Sequence, residues 1–293
     1  MFHGSIAALV TPMKADGEID RTAFTRLIEW HIESNTHAIV IAGSTGESPT
    51  LTFNEKHDLF RLAVETANGR IPVIAGTGTN STHSSIELTK MAMEVGVDAC
   101  LLVTPYYNRP TQEGLYQHYH AIARAVPVPQ ILYNVPGRTG CDILPQTVAR
   151  LATIGNIIGI KEANGQIERA QQILKECGDN FYVYSGEDAI GLDIMKIGAQ
   201  GVISVTANIA PAKMSEMCTA ALHQDFETAD KINASLMGLH KDLFIESNPI
   251  PVKWALNQMG LIEAGIRLPL TPLSGTYHEK VKNAMKQASI NIA

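Results

Sequence analysis

Eight short apolar runs, separated by helical patterns, restrict the fold of this chain more than any other feature. They fall at residues 6–10, 38–42, 71–75, 99–103, 130–133, 157–160, 181–184 and 201–205. Runs this short, apolar on both faces, describe strands of a parallel sheet covered by helices on its exposed side. Between them Phe24, Leu27, Ile28 and Ile32 share one face of a helix over 20–34, with Asp20 as its N-cap. Thr52-Phe53-Asn54-Glu55 has the spacing of a capping box, and Gly69 suits the C′ end of that helix. Ile167, Ala170, Ile173, Leu174 and Cys177 recur at helical spacing before Gly178. Strand and helix alternate in units of roughly 20–35 residues, which implies right-handed βαβ crossovers. Eight such units predict an α/β fold closed into a (β/α)8 barrel rather than an open doubly wound sheet.

After about residue 225 the strand pattern stops, and helical patterns follow at 227–240, 251–259 and 278–288. The expected organisation is a barrel over residues 1–224 and a C-terminal helical domain over 225–293. No linker rich in Gly, Pro or Ser divides them, so the extension should pack on the barrel.

The net charge is −6, with neither a basic run nor aromatic–basic interleaving, which argues against nucleic acid as a partner. Cys100, Cys141, Cys177 and Cys218 are widely spaced and form no CxxC pair, so they read as small hydrophobes of a reducing compartment. Residues 1–7 lack a basic segment leading into a long apolar core, and no apolar run is long enough to span a bilayer. A cytoplasmic protein without membrane partners is expected.

In a barrel of this kind, reactive groups lie at the C-terminal ends of the strands and in the loops that follow. Asn156-Ile157-Ile158-Gly159-Ile160-Lys161-Glu162 drives a lysine to the end of a buried run. Such a lysine is either the first solvated residue after the strand or a half-desolvated amine. Burial disfavours the ammonium and frees the neutral amine to attack a carbonyl. Gly43-Ser44-Thr45-Gly46-Glu47-Ser48 reads either as an anion pocket or as a tight turn with polar decoration. Tyr133 can be a core residue whose hydroxyl reaches the rim, and Arg138 a solvated turn residue or a carboxylate clamp. Gly76-x-Gly78 lacks the third glycine of a dinucleotide fingerprint, since Ser81 stands there, and no phosphate-binding GxxxxGK[ST] occurs. His118 and His120 stand two apart on a helical pattern, and His57 and His83 lack a ligand pattern, so no metal is assigned. Closure would bring Lys161, Tyr133, the hydroxyls of Ser44 and Thr45, and Arg138 to one mouth, giving the amine a proton shuttle and a carboxylate clamp.

These residues, with Val73-Ile74-Ala75-Gly76-Thr77-Gly78, Val103-Thr104-Pro105-Tyr106-Tyr107-Asn108, residues 131–140 and Gly201-Val202-Ile203-Ser204-Val205-Thr206, closely resemble the dihydrodipicolinate synthase family nearly end to end. These are pyruvate-dependent lyases of lysine biosynthesis. The resemblance implies that Lys161 forms an imine with pyruvate and that Tyr133 shuttles protons, relayed by Ser44 and by Tyr107 from a neighbouring subunit. The family usually has threonine where Ser44 stands, and the hydroxyl survives. Thr45 and the backbone at Ile203 would hold the pyruvate carboxylate, Arg138 that of L-aspartate semialdehyde, and Gly186 would line the pocket. A homo-oligomer, a dimer of dimers, is implied, and no cofactor is required.

The family's lysine-inhibitor site maps to Ser48, Pro49, Asn80 and Tyr106. Phe53, Lys56 and Ser84 replace the polar or acidic residues of strongly inhibited members, which should weaken binding of a cationic amino acid. Two other readings compete: a sister aldolase such as N-acetylneuraminate lyase, and a non-catalytic amino-acid sensor on the same scaffold. Arg138 argues against the first, and the intact Lys161, Tyr133 and Arg138 against the second.

Overall fold

The computed structural model describes residues 2–292; Met1 and Ala293, the outer ends of the two expected segments, lie outside them. Strands β1 (Gly4–Ala8), β2 (Ala38–Ile41), β3 (Val73–Gly76), β4 (Ala99–Val103), β5 (Gln130–Asn134), β6 (Ile157–Glu162), β7 (Tyr182–Ser185) and β8 (Gly201–Ser204) pair in parallel in chain order. β8 returns to β1 and closes the expected (β/α)8 barrel.

Between the strands run α1 (Arg21–Glu33), α2 (Phe53–Ala67), α3 (Thr82–Val95), α4 (Gln112–Ala125), α5 (Pro136–Thr139), α6 (Pro145–Ala152), α7 (Ile167–Cys177) and α8 (Gly191–Lys196). The Asp20 carboxylate accepts from the Ala23 N–H at 2.9 Å, and Thr52 and Glu55 form the expected capping box. These caps satisfy first-turn N–H groups that the helix itself cannot.

Alternation along the strands sorts side chains into two layers. Ile6, Val40, Ile74, Leu101, Ile131, Tyr184 and Ile203 fill the barrel interior. Ile39, Ile41, Val73, Leu132 and Val183 point outward beneath the helices. β1 starts two residues earlier than its apolar run, because Gly4 pairs with Gly201 where the barrel closes. A Cβ at 201 would run into the Gly4 carbonyl, so the approach needs a glycine. Leu9 and Val10, read as strand, are buried loop residues instead.

One irregularity bears on the site. Gln130 pairs with Ile157 but Ile131 with Gly159, so Ile158 is an unmatched extra residue in β6. Ile157 and Ile160 both pack outward although three apart, which an unbroken strand forbids.

After β8, α9 (Pro211–Leu222) packs on β1 and completes the ring of barrel helices, and past the barrel come α10 (Phe226–Asp242), α11 (Ile250–Gln258) and α12 (His278–Gln287). α10 lies against α8, α9 and α12. One apolar core runs through residue 225, joining Leu9 and Met217 to Leu236, Val252 and Val281. The extension also reaches the barrel mouth with charge. Lys253 on α11 forms a buried ion pair with Glu47, and the Arg267 N–H donates to the other Glu47 oxygen at 3.1 Å. The Arg267 guanidinium holds Glu55 at 2.5 and 3.0 Å and pulls its carboxyl down to about 2.

Cys100, Cys141 and Cys218 are buried and Cys177 is half-buried, all four as free thiols. Among the described residues no helix is long and apolar enough to cross a membrane, and no three His, Cys, Asp or Glu side chains gather as a metal site.

Candidate active site

The loop after β2 folds back on itself. Ala42 and Glu47 take left-handed backbone conformations, the Glu47 N–H donates to the Ser44 carbonyl and the Ser48 N–H to the Gly43 carbonyl, both at 3.2 Å. Two N–H groups of the anticipated anion pocket are therefore spent within the turn. The hydroxyls remain as its polar contribution. Ser44 lines the cavity, and the buried Thr45 Oγ1 accepts from the Asn248 amide at 2.9 Å.

Tyr133 projects into the interior from β5, and Lys161 lies directly opposite it in register on β6. The Lys161 Nζ stands 4.3 Å from the centre of the Tyr133 ring, whose negative face attracts an ammonium. β6 continues to Glu162, so Lys161 is 5% exposed, more enclosed than the half-desolvated lysine expected at a strand exit. Glu162 accepts from Asn134 at 3.0 and 3.1 Å and from the Asn164 N–H at 2.9 Å, yet burial pushes its carboxyl up to about 7.

Gly186, just after β7, makes room for the lysine arm. A Cβ there would stand 2.6 Å from the Ala163 Cβ and 3.0 Å from the Lys161 Cε. The Asp188 carboxylate ties the same loop to β8 by receiving the N–H groups of Val205 and Thr206 at 3.0 and 2.8 Å. Ile203 is buried in the interior on β8.

Arg138 sits in α5, a single helical turn where a Pro-Gly-Arg turn was expected, and its Nη2 donates to the Asn248 carbonyl at 2.9 Å. Asn248 thus touches two candidate site residues, Thr45 through its amide and Arg138 through its backbone. Sequence reasoning did not single it out, because a lone asparagine before Pro249 resembles any turn.

A cavity of about 470 Å³ is lined by Ser44, Tyr133, Arg138 and Asn248 together with Ser48, Pro49, Lys56 and Tyr106. Its wall holds three of the four residues expected of an inhibitor site. Asn80 is not in its wall, and its carbonyl accepts from the Asn108 amide at 2.8 Å. Lys56 is buried in this wall, and burial lowers its affinity for a proton. Tyr107 is not brought to the cavity of its own chain: it is 90% exposed, with a left-handed backbone.

Residues 1–288 match the profile of the Dihydrodipicolinate synthetase family. The chain belongs to this family. It is 59% identical over 290 residues to the 4-hydroxy-tetrahydrodipicolinate synthase of Alcanivorax borkumensis, covering 99% of both chains. To that of Methylococcus capsulatus it is 60% identical over 290 residues, covering 99% of this chain and all of the relative. Among solved structures, the chloride-inhibited dihydrodipicolinate synthase of Acinetobacter baumannii, in complex with pyruvate, superposes with a TM-score of 0.98 at 54% identity, covering 99% of this chain and 100% of that one.

Proposed function

We propose that this chain is a Schiff-base-forming lyase that condenses pyruvate with L-aspartate 4-semialdehyde to 4-hydroxy-tetrahydrodipicolinate, in the diaminopimelate route to lysine. The observation that carries the reading is the buried Lys161 amine over the Tyr133 ring, at the end of a barrel strand. Membership of the family supports it throughout the chain.

In this scheme the Lys161 amine attacks the pyruvate ketone and water leaves as the imine forms. Loss of a methyl proton gives an enamine, whose carbon attacks the aldehyde. The ammonium of the second substrate then gives a proton to the Tyr133 relay, and the resulting amine attacks the imine carbon, closing the ring and expelling the lysine amine. Covalent attachment divides one difficult carbon–carbon bond formation into easier steps, and no cofactor is needed.

Tyr133 carries protons between the lysine, the substrates and solvent, with Ser44 as its relay. Thr45 and the backbone at Ile203 hold the pyruvate carboxylate, and Arg138 takes that of the semialdehyde. The exposure of Tyr107 supports its donation to a second copy's relay, and with it a dimer, paired further into a dimer of dimers. Residues 1–224 act as the catalytic barrel, and the helical segment 225–293 braces its mouth through Asn248, Lys253 and Arg267. Work in the cytoplasm fits these soluble substrates.

Incubation with pyruvate and borohydride, followed by peptide mass mapping, tests the reading. A reduced adduct is expected on Lys161, together with pyruvate consumption that depends on the semialdehyde. An adduct on another lysine, or none, would sink it.

A further inference from the structure

The second substrate carries an α-carboxylate and an α-ammonium beside its aldehyde, and Arg138 answers only the first. A cation leaving water for a barrel mouth needs a partner of opposite charge. The carboxylates near the strand ends are few, and most are occupied. Glu47 is paired with Lys253 and accepts from Arg267. Glu162 accepts from Asn134 and Asn164. Asp142 is ion-paired with Arg169 at 2.5 Å, and Asp188 receives two N–H groups of the β8 exit on Oδ2, while its unpartnered Oδ1 is sealed away in a side chain only 3% exposed.

Glu187 differs from all of these. Its backbone is engaged by Ser185, whose hydroxyl donates to the Glu187 carbonyl at 2.9 Å and accepts from its N–H at 3.2 Å. Its half-buried carboxylate makes no hydrogen bond or ion pair among the described residues. It follows Gly186, which packs on the Lys161 arm, and both Lys161 and Arg138 act on it electrostatically. Burial and the neighbouring Asp188 push its carboxyl above the usual range, while the two cations draw it back. An incoming ammonium would give this carboxylate the ion pair that it lacks among the described residues.

We propose that the Glu187 carboxylate receives the α-ammonium of the aldehyde substrate, so that Glu187 and Arg138 together select an amino-acid semialdehyde and turn its aldehyde toward the enamine. This rests on the Schiff-base reading above. Two opposite charges held by two fixed partners set the orientation of a small zwitterion, where one clamp alone leaves it free to rotate.

The test compares L-aspartate 4-semialdehyde with succinate semialdehyde, which has the same chain and carboxylate without the ammonium. The analogue lacks the amine that closes the ring and frees Lys161, so the carbon–carbon bond-forming step is followed in a single turnover, as loss of the borohydride-trapped pyruvate adduct after each aldehyde is added, in the unaltered enzyme and in Glu187→Gln. The unaltered enzyme should favour the amino substrate by roughly tenfold or more in the second-order rate constant of that step, and the variant should lose about 10- to 100-fold on the amino substrate and far less on the analogue. Glu187→Asp should retain part of the preference. Borohydride trapping with pyruvate alone should change far less than the loss on the amino substrate, although Lys161 feels the Glu187 charge. Equal losses on both substrates, or no preference in the unaltered enzyme, would overturn the proposal. A loss in trapping as large as that on the amino substrate would also overturn it, by assigning Glu187 to Lys161. Absence of a pyruvate adduct in the unaltered enzyme would instead remove the Schiff-base reading on which the proposal stands.

Discussion

Lys161 faces Tyr133 across β6 and β5 after a bulge at Ile158 has broken the alternation of its strand. In an unbroken strand Ile157, Gly159 and Lys161 would share a face, and Ile157 packs outward beneath the helices. The extra residue lets Ile157 keep that place while Lys161 turns to the interior and rests on the Tyr133 ring. Bulges commonly re-aim side chains at functional sites in this way.

Tyr133→Phe keeps the ring beneath the Lys161 Nζ and removes only the hydroxyl. Loss of a positioned proton donor and acceptor should lower kcat/KM on the order of 10²- to 10⁴-fold. The thermal midpoint should stay within about 4 °C, since little burial is lost. Steady-state kinetics and thermal unfolding check the two halves. A nearly active variant would remove Tyr133 from the proton path.

Arg138→Ala should leave borohydride trapping by pyruvate largely intact while raising KM for the semialdehyde and lowering kcat/KM. The clamp acts on the second substrate, after the imine has formed. The Asn248 carbonyl loses its guanidinium partner in this variant, so the unfolding midpoint should be recorded alongside. Equal loss of both half-reactions would contradict the role given to Arg138.

Glu162 yields a stability prediction with a definite sign. Its carboxyl titrates at about 7 in the fold against 4.5 ordinarily, because burial disfavours the charge. As pH rises from about 5 to 7 the unfolded chain has already released the proton that the folded chain still holds, so stability falls with pH. Above about 7 both states are ionised, and the cost of the buried charge is complete. Glu162→Gln cannot ionise, and its amide oxygen in the Oε1 position can accept from Asn134 and Asn164, while the bond to Oε2 is lost at every pH. The variant should therefore gain on the parent by on the order of 2 kcal/mol between pH 5 and pH 8. Denaturant unfolding at the two pH values checks this, and a pH-independent difference would refute it.

Lysine should inhibit weakly or not at all at millimolar concentration. The buried Lys56 lines the cavity with Ser48, Pro49 and Tyr106, so its nitrogen repels a second cation whenever it is protonated, and neither Phe53 nor Ser84 supplies a carboxylate. A cationic ligand beside it would forfeit roughly ten- to hundredfold in affinity. Ser84→Glu combined with Lys56→His should strengthen any response. Half-inhibition well below a millimolar in steady-state assays would show that the cleft supplies another partner.

The barrel was legible because its cause is local: eight apolar runs separated by helical patterns leave few ways to cover both faces of a sheet. The exits were legible for the same reason, since any strand ending in Lys161, Tyr133 or Gly186 must deliver it to the shared mouth. The competition between anion pocket and tight turn at residues 43–48 was decided only by the fold. Its N–H groups turned out to be partly consumed within the loop, while the Thr45 hydroxyl found an amide 203 residues away.

The amino-acid sequence by itself determined the repeating architecture, the order of the strands and the kinds of side chain at their ends. Tertiary structure alone decided the face that Lys161 takes, the bridge from Thr45 through Asn248 to Arg138, and the position of the Glu187 carboxylate beside Gly186. Periodicity reports which neighbours along one segment share a face, whereas register, a bulge and contacts across 110 or 203 residues depend on how distant segments pack against one another.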